Sequence, residues 1–169
     1  MTHTFYVSAA VAIIATAMAI TRSNGVHALL YLIVSFLAVA LVFFVMGAPF
    51  IAALEVIIYA GAIMVLFIFA AMMFNLGQQA VPQERYWIKP RMWIVPSLLA
   101  AILLAQLIAL IFAGGGRSLA AGVATPPEVG IALFAPYLLG VELASLLLLS
   151  GLVGAYHIGG HLRGSDAAP

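Results

Sequence analysis

The chain has 169 residues, of which 66% are hydrophobic and only 7% are charged. A water-soluble domain of this length needs far more polar surface, so the composition places the chain among membrane proteins. The net charge of +1 argues against nucleic acid or an anionic membrane surface as the main partner, and the absence of cysteine excludes disulfides and cysteine-ligated iron–sulfur clusters within the chain.

Five apolar runs are long enough to cross the hydrocarbon core of a bilayer, which takes about 20 helical residues. They cover about residues 4–21, 26–46, 50–76, 92–113 and 133–157. The first run is not preceded by any Lys or Arg, so we interpret it as a retained span and not as a signal peptide. Isolated segments in lipid must satisfy their own backbone hydrogen bonds, and strand-like alternation is absent. The predicted fold is therefore an all-α membrane protein, a single integral membrane domain over residues 1–169 with five transmembrane helices.

The connections between the runs differ in length and polarity. Residues 22–25 form a short polar turn, and residues 47–49 are predicted to close a tight hairpin, with Pro49 in the first turn of the next helix. Residues 77–91 hold most of the charge outside the spans. Residues 114–132 begin with three glycines and predict a flexible loop with room for one short interfacial segment.

The distribution of Lys and Arg predicts the orientation. Five of the six lie on one side of a five-span topology, where they are Arg22, Arg85, Lys89, Arg91 and Arg163. The other side has only Arg117. By the positive-inside rule, the C-terminus and the third connection are expected in the cytoplasm and the N-terminus outside, in the periplasm.

The third run is unusual for a spanning helix because it contains an acid, Glu55, and a central glycine, Gly61. Tyr59 follows Glu55 by four residues, so the two side chains share a face of a regular helix. The Tyr59 hydroxyl has two possible roles. It either bonds Glu55 or lines a polar path, or the tyrosine is a packing residue whose hydroxyl bonds a backbone carbonyl. On spacing alone, residues 60–62 favour a small-residue packing contact with another helix.

Glu142 in the fifth run is the second acid inside a span. No Lys or Arg lies within any run, so neither Glu55 nor Glu142 has a basic partner from this chain at its depth. A carboxylate in hydrocarbon is costly, and it responds by protonation, hydration or pairing with an outside group. We expect both acids in the outer half of the membrane, where they could share a polar cavity. Contact with a proton or water path is favoured over an interhelical hydrogen bond that fixes packing.

No catalytic constellation is recognisable. His157 and His161 have a spacing that can hold a metal, but a pair of histidines lacks the further ligands, so no metal site is expected. The three consecutive glycines do not follow a strand and are not a phosphate loop. Gln106 in the fourth run is predicted to bond a neighbouring helix.

Two segments of the chain, residues 26–76 and 129–159, closely resemble the subunit J family of bacterial NADH:quinone oxidoreductase, respiratory complex I. Residues 83–90 resemble the family's third connection. The most specific match is the block 55–67, which reads EVIIYAGAIMVLF. The fourth connection and the tail are shorter than the family pattern. This difference affects accessory contacts and not the core of the resemblance.

The resemblance implies a membrane-arm subunit that couples quinone reduction to proton pumping in the bacterial inner membrane and holds no redox centre itself. FMN, iron–sulfur clusters and quinone are expected in partner subunits. The neighbours that it implies are subunits A, H and K, within the lipid bilayer. It also implies that the third span switches between an α-helix and a π-bulge and thereby opens or closes a water path. The positions that match this switch are Tyr59, Gly61 and Val65, with Met64 and Phe67 beside it.

Three alternatives stay open at this point. A related cation/proton antiporter or membrane hydrogenase complex uses similar membrane subunits and would lack the co-occurring NADH-oxidising flavin subunits. A stand-alone transporter would be expected to have an inverted repeat or paired broken helices, and the sequence has neither. In a purely structural membrane subunit, the substitutions Glu142→Gln and Gly61→Ala would change assembly but not the activity per assembled complex.

Overall fold

The computed structural model describes residues 2–22, 25–74, 93–114 and 123–165, with side chains excepted at residues 74, 113–114 and 160–165. The predictions that concern residues 75–92 and 115–122 lie outside these residues. The chain forms two compact units, Met1–Ala124 and Thr125–Pro169, and each is described by itself. The single-domain organisation therefore stays a prediction.

All described secondary structure is helical. In chain order the elements are α1 (Thr2–Thr21), α2 (Gly25–Val45), α3 (Pro49–Leu54), a π-helix that we call π1 (Glu55–Ile63), α4 (Met64–Phe74), α5 (Ile94–Gly114), α6 (Pro126–Phe134) and α7 (Leu138–Ser165). The elements α3, π1 and α4 follow one another without a break and together form the third span.

Five stretches within the described residues are long and apolar enough to cross a membrane. They are Thr2–Thr21, Gly25–Val45, Pro49–Met73, Ile94–Phe112 and Leu138–Gly159. The all-α, five-span prediction is confirmed to that extent, and so is a π-helical segment in the third span. The orientation across the membrane stays a prediction.

The hairpin between α2 and α3 is closed by a Schellman motif. Gly47 has φ 86°, a left-handed conformation that glycine adopts without a steric penalty. The N–H of Ala48 donates to the carbonyl of Phe43 (3.0 Å), and the N–H of Gly47 donates to that of Phe44 (3.2 Å). Pro49 then begins α3, where no backbone donor is needed. The tight hairpin predicted from the sequence is confirmed.

The first unit is organised around α2, which packs against α1, the third span and α5. Its buried core includes alanines that allow the backbones to approach closely, together with one large aromatic side chain. The core residues are Val11, Ala15, Tyr31, Val34, Ala38, Leu41, Leu99 and Leu103. Ala15 and Ala38 have no exposed surface, and Tyr31 is 2% exposed. Most other large apolar side chains are exposed, as expected for helices that cross a membrane.

Side-chain hydrogen bonds connect the helices of the first unit. The Ser8 hydroxyl on α1 donates to Oε1 of Gln106 on α5 (3.1 Å), which confirms the predicted bond from Gln106 to a neighbouring helix. Thr16 on α1 and Ser35 on α2 lie 2.7 Å apart through their hydroxyl oxygens. Hydrogen bonds between membrane helices contribute about 1 kcal/mol each, so these contacts fix the register of α1 against its neighbours.

The second unit consists of α6 and α7. At the start of α6, the N–H of Thr125 donates to Oε2 of Glu128 (2.8 Å), the geometry of a capping box. This hydrogen bond holds the pKa of the Glu128 carboxyl below its ordinary value. The predicted fifth run began at residue 133, whereas α7 begins at Leu138. The helix α6 ends at Phe134 with Ala135 as its C-cap, because Pro136 cannot continue a helix.

Candidate functional site

The π-helix in the middle of the third span is the main irregularity of the described backbone. The segment π1 covers nine residues between two α-helical stretches. At its end, the N–H of Met64 donates to the carbonyl of Tyr59, five residues earlier, and also to that of Gly61. Such segments are rare, and they occur frequently at functional sites within helices.

Gly61 lies within π1, and its environment explains why a glycine occupies the position. A Cβ atom added there would lie 3.2 Å from the carbonyl oxygen of Val56, a contact closer than side chains normally tolerate. The close carbonyl belongs to the residue five positions earlier in the sequence, which is the residue spacing of hydrogen bonds in a π-helix. A side chain at position 61 therefore requires the Val56 carbonyl to move by a few tenths of an ångström, whereas Gly25 on α2 has nothing within 4 Å of an added Cβ.

Glu55 and Tyr59 do not meet through a hydrogen bond among the described residues. Glu55 is the first residue of π1 and is partly exposed. The ring of Tyr59 packs instead against that of Phe36 on α2, with centroids 5.4 Å apart and planes tilted by 51°. Tyr59 is 46% exposed, so one side of the ring contacts α2 and the rest is open. The four-residue spacing therefore does not join the two polar groups, and the Tyr59 ring lies against α2 instead.

The remaining residues of the predicted switch lie at the end of π1 and just beyond it. Met64, the first residue of α4, is 2% exposed and is buried in the first unit. Val65 and Phe67 are 47% and 54% exposed. The third span therefore turns Met64 inward and leaves Val65 and Phe67 available to lipid or to a partner.

A cavity of about 520 Å³ lies beside α3 and the start of π1. All of its lining side chains are apolar and come from α2, the third span and α5; they include Phe44, Ala52, Val56 and Leu103. A proton path needs polar groups or ordered water, so this cavity is not one by itself.

Glu142 belongs to the second unit, on α7, and is exposed there. Glu55 belongs to the first unit, so the cavity that Glu142 and Glu55 are expected to share stays a prediction. The nearby Ser145 hydroxyl donates to the backbone carbonyl of Glu142 (2.8 Å) and not to its carboxylate.

Two features were missed in the sequence. The Phe36–Tyr59 ring contact has no signal in the spacing of either residue. The capping box at residues 125–128 has a recognisable pattern, Thr-x-x-Glu before an apolar stretch.

Among the described residues, no group of three or more His, Cys, Asp or Glu could hold a metal ion.

Comparison with known proteins gives a consistent result. The family model for NADH-ubiquinone/plastoquinone oxidoreductase chain 6 matches residues 15–158. The chain is 53% identical over 160 residues to NADH-quinone oxidoreductase subunit J of Pseudomonas aeruginosa, covering 94% of this chain and 96% of the relative. It is 50% identical over 166 residues to subunit J of Escherichia coli K12, covering 98% and 90%. It is 48% identical over 159 residues to subunit J of Buchnera aphidicola from Schizaphis graminum, covering 94% and 98%.

Proposed function

Since this chain belongs to the NADH-quinone oxidoreductase subunit J family, also described as NADH-ubiquinone/plastoquinone oxidoreductase chain 6, we propose that its π-helical segment gates proton translocation. The chain is a multi-pass inner-membrane subunit of the oxidoreductase complex. Its role in that complex is to couple quinone reduction to proton pumping without holding a redox centre.

The observation that carries the proposal is π1 itself, a nine-residue π-helix with α-helix on both sides. Conversion of one π-turn to an α-turn changes the register by one residue, which rotates α4 by about 100° relative to α3. Val65 and Phe67 would move with α4. Quinone reduction in other subunits would bias the two states, and the position of these side chains would open or close a water file.

Glu55 and Tyr59 are placed to connect the gate to a proton path. A partly exposed carboxyl in a span requires water or an external polar partner. Within the described residues, Tyr59 contacts α2 through its ring, and its hydroxyl makes no hydrogen bond. Glu142 is the second proton-path group. The positive-inside distribution supports a periplasmic N-terminus and a cytoplasmic C-terminus. Subunits A, H and K are the proposed neighbours, and FMN, the iron–sulfur clusters and quinone belong to partner subunits.

Replacing Glu55 by glutamine tests whether this carboxyl takes part in the proton path. Glu55→Gln keeps the size and polarity of the side chain but removes its proton exchange. We expect quinone-coupled proton pumping by the assembled complex to fall by an order of magnitude or more, since positioned proton-transfer groups contribute about 100-fold or more. Pumping is measured in inverted membrane vesicles, and NADH oxidation with an artificial acceptor reports the peripheral arm.

Glu128→Gln is the matched control because it makes the same chemical change outside the five spans. Glutamine also forms a capping box, so the start of α6 should be retained. Normal pumping in Glu128→Gln and reduced pumping in Glu55→Gln, at equal amounts of assembled complex, are the expected pair. Equal pumping in both variants would remove Glu55 from the path.

A further inference from the structure

Helix α2 packs against all three parts of the third span, α3, π1 and α4. Ala52 in α3 is 6% exposed and Met64 at the start of α4 is 2% exposed, whereas no residue of π1 between them is buried. The third span is therefore held in the first unit at both ends of its π-helix. Its fit to α2 depends on the angle about the helix axis between these two buried residues.

The π register explains how both residues can be buried. Met64 follows Ala52 by twelve positions, and at 100° per residue a regular α-helix would place the two side chains about 120° apart. One residue taken up by the wider π-turn reduces this angle to about 20°, so that both side chains lie on the same side of the span. Conversion of π1 to an α-helix would therefore rotate one of the two buried residues out of its site.

Tyr59 is the central residue of π1, and its ring contacts α2. The centroid of the ring lies 5.4 Å from that of Phe36, within the range of favourable aromatic pairs. Because Tyr59 is the fifth of the nine residues of π1, about half of the rotation, roughly 50°, separates it from whichever end stays fixed on α2. At a side-chain radius of about 5–6 Å, this rotation moves the ring by about 4–5 Å. A displacement of that size breaks the contact with Phe36.

We propose that Phe36 is a positioning residue of the gate. Its ring holds the ring of Tyr59 and thereby favours the π register of the third span over the α register at rest; we call this contact the Phe36 anchor. The inference rests on the proposed function, because the anchor has a role only if the third span has a second state. An aromatic pair of this geometry changes the ratio of two states by about two- to tenfold. That bias lies within what a coupled reaction at another site can overcome.

The ratio of the two states tests the anchor. The chain has no cysteine, so Val65→Cys can carry a spin label that reports the position of α4 in the assembled complex. The measured quantity is the ratio of the label environment that NADH turnover enriches to the resting environment. Phe36→Leu removes one ring, and we expect the ratio at rest to rise about two- to tenfold. Tyr59→Leu removes the other ring and should raise the ratio by a similar factor, and the double variant should raise it no further.

Phe43→Leu is the matched control. It makes the same change at another partly buried position of α2, and Phe43 has no aromatic ring contact within the described residues. Tyr59→Phe keeps the ring and removes only the hydroxyl, so the ratio at rest should stay at the native value. A packing role alone would lower the amount of assembled complex in Phe36→Leu and leave the ratio within that complex unchanged.

The outcomes separate the anchor from the gate. A native ratio in Phe36→Leu, with turnover still enriching the second environment in the native chain, would overturn the anchor and leave the gate standing. An equal rise in Phe43→Leu and Phe36→Leu would also overturn the anchor alone. A single label environment in the native chain, unchanged by turnover, would overturn the gate and the anchor with it.

Discussion

Replacing Gly61 by valine is expected to lower proton translocation per NADH oxidised by about tenfold or more, with NADH oxidation by the peripheral arm unchanged. The new Cβ would lie 3.2 Å from the Val56 carbonyl oxygen, so the backbone around Val56 must shift by a few tenths of an ångström, and the branched side chain adds further bulk. Overpacking of this kind costs about 1–3 kcal/mol, and about 2 kcal/mol changes the ratio of two balanced states by roughly thirtyfold. Proton pumping by purified complex in proteoliposomes measures the effect.

Gly25→Val is the control for the Gly61 variant. Gly25 is also a helical glycine, the first residue of α2, but an added Cβ there would meet nothing within 4 Å. The smaller Gly61→Ala change should give an intermediate loss, because it adds the close Cβ without the branch of valine. Coupled pumping at the native level in Gly61→Val would show that the π form is not needed for the coupling.

Replacing Ala38 by leucine is expected to reduce the amount of assembled complex several-fold while leaving pumping per complex intact. Ala38 has no exposed surface in the core between α1, α2 and α5, so the larger side chain must separate the helices. Overpacking a filled core costs about 1–3 kcal/mol. The chain in the large native-gel band, relative to the total inserted chain, measures the loss.

Ala10→Leu on the exposed side of α1 is the matched control, since the same change meets no core there. The two alanine variants should differ in assembly and agree in pumping per assembled complex. A loss of pumping per complex in Ala38→Leu would mean that the α1–α2–α5 core is part of the moving machinery. The Gly61 and Ala38 variants therefore separate a gating role from a structural one.

Much of the architecture could be predicted because lipid imposes strict local requirements. Apolar length alone determines the five spans, and the Gly47–Ala48–Pro49 sequence specifies a helix stop followed at once by a helix start. The bond from Gln106 was predictable because a buried amide in a membrane helix needs a partner, although its identity, Ser8, depends on the packing of α1 against α5.

The π segment could be predicted only through the family resemblance. Spacing around Gly61 favours ordinary helix packing, because sequence periodicity does not distinguish a π-turn from an α-turn. The four-residue spacing of Glu55 and Tyr59 predicts a shared helix face, but it does not determine whether the two side chains contact each other. Tyr59 instead contacts Phe36, a residue 23 positions earlier, and such a pairing depends on how α2 and the third span pack.

The start of α7 shows a different kind of error. Residues 133–135 are apolar and were joined across Pro136 to the apolar stretch that begins at Leu138, so the predicted fifth run began too early. Pro136 interrupts the helix there, and α6 and α7 are separate elements. A rule that ends helices before proline would have placed the boundary correctly.

The gate itself is tested most directly by observing the third span during turnover. The chain has no cysteine, so Val65→Cys can carry the only spin label of this subunit, and Ile13→Cys on α1, which is 71% exposed, provides the reference position. Labelled subunit is incorporated into complex that retains coupled pumping. The gate predicts two label environments at position 65 whose ratio changes when NADH and quinone are supplied, with no change at position 13. A single environment at position 65 that is the same at rest and during turnover would contradict it.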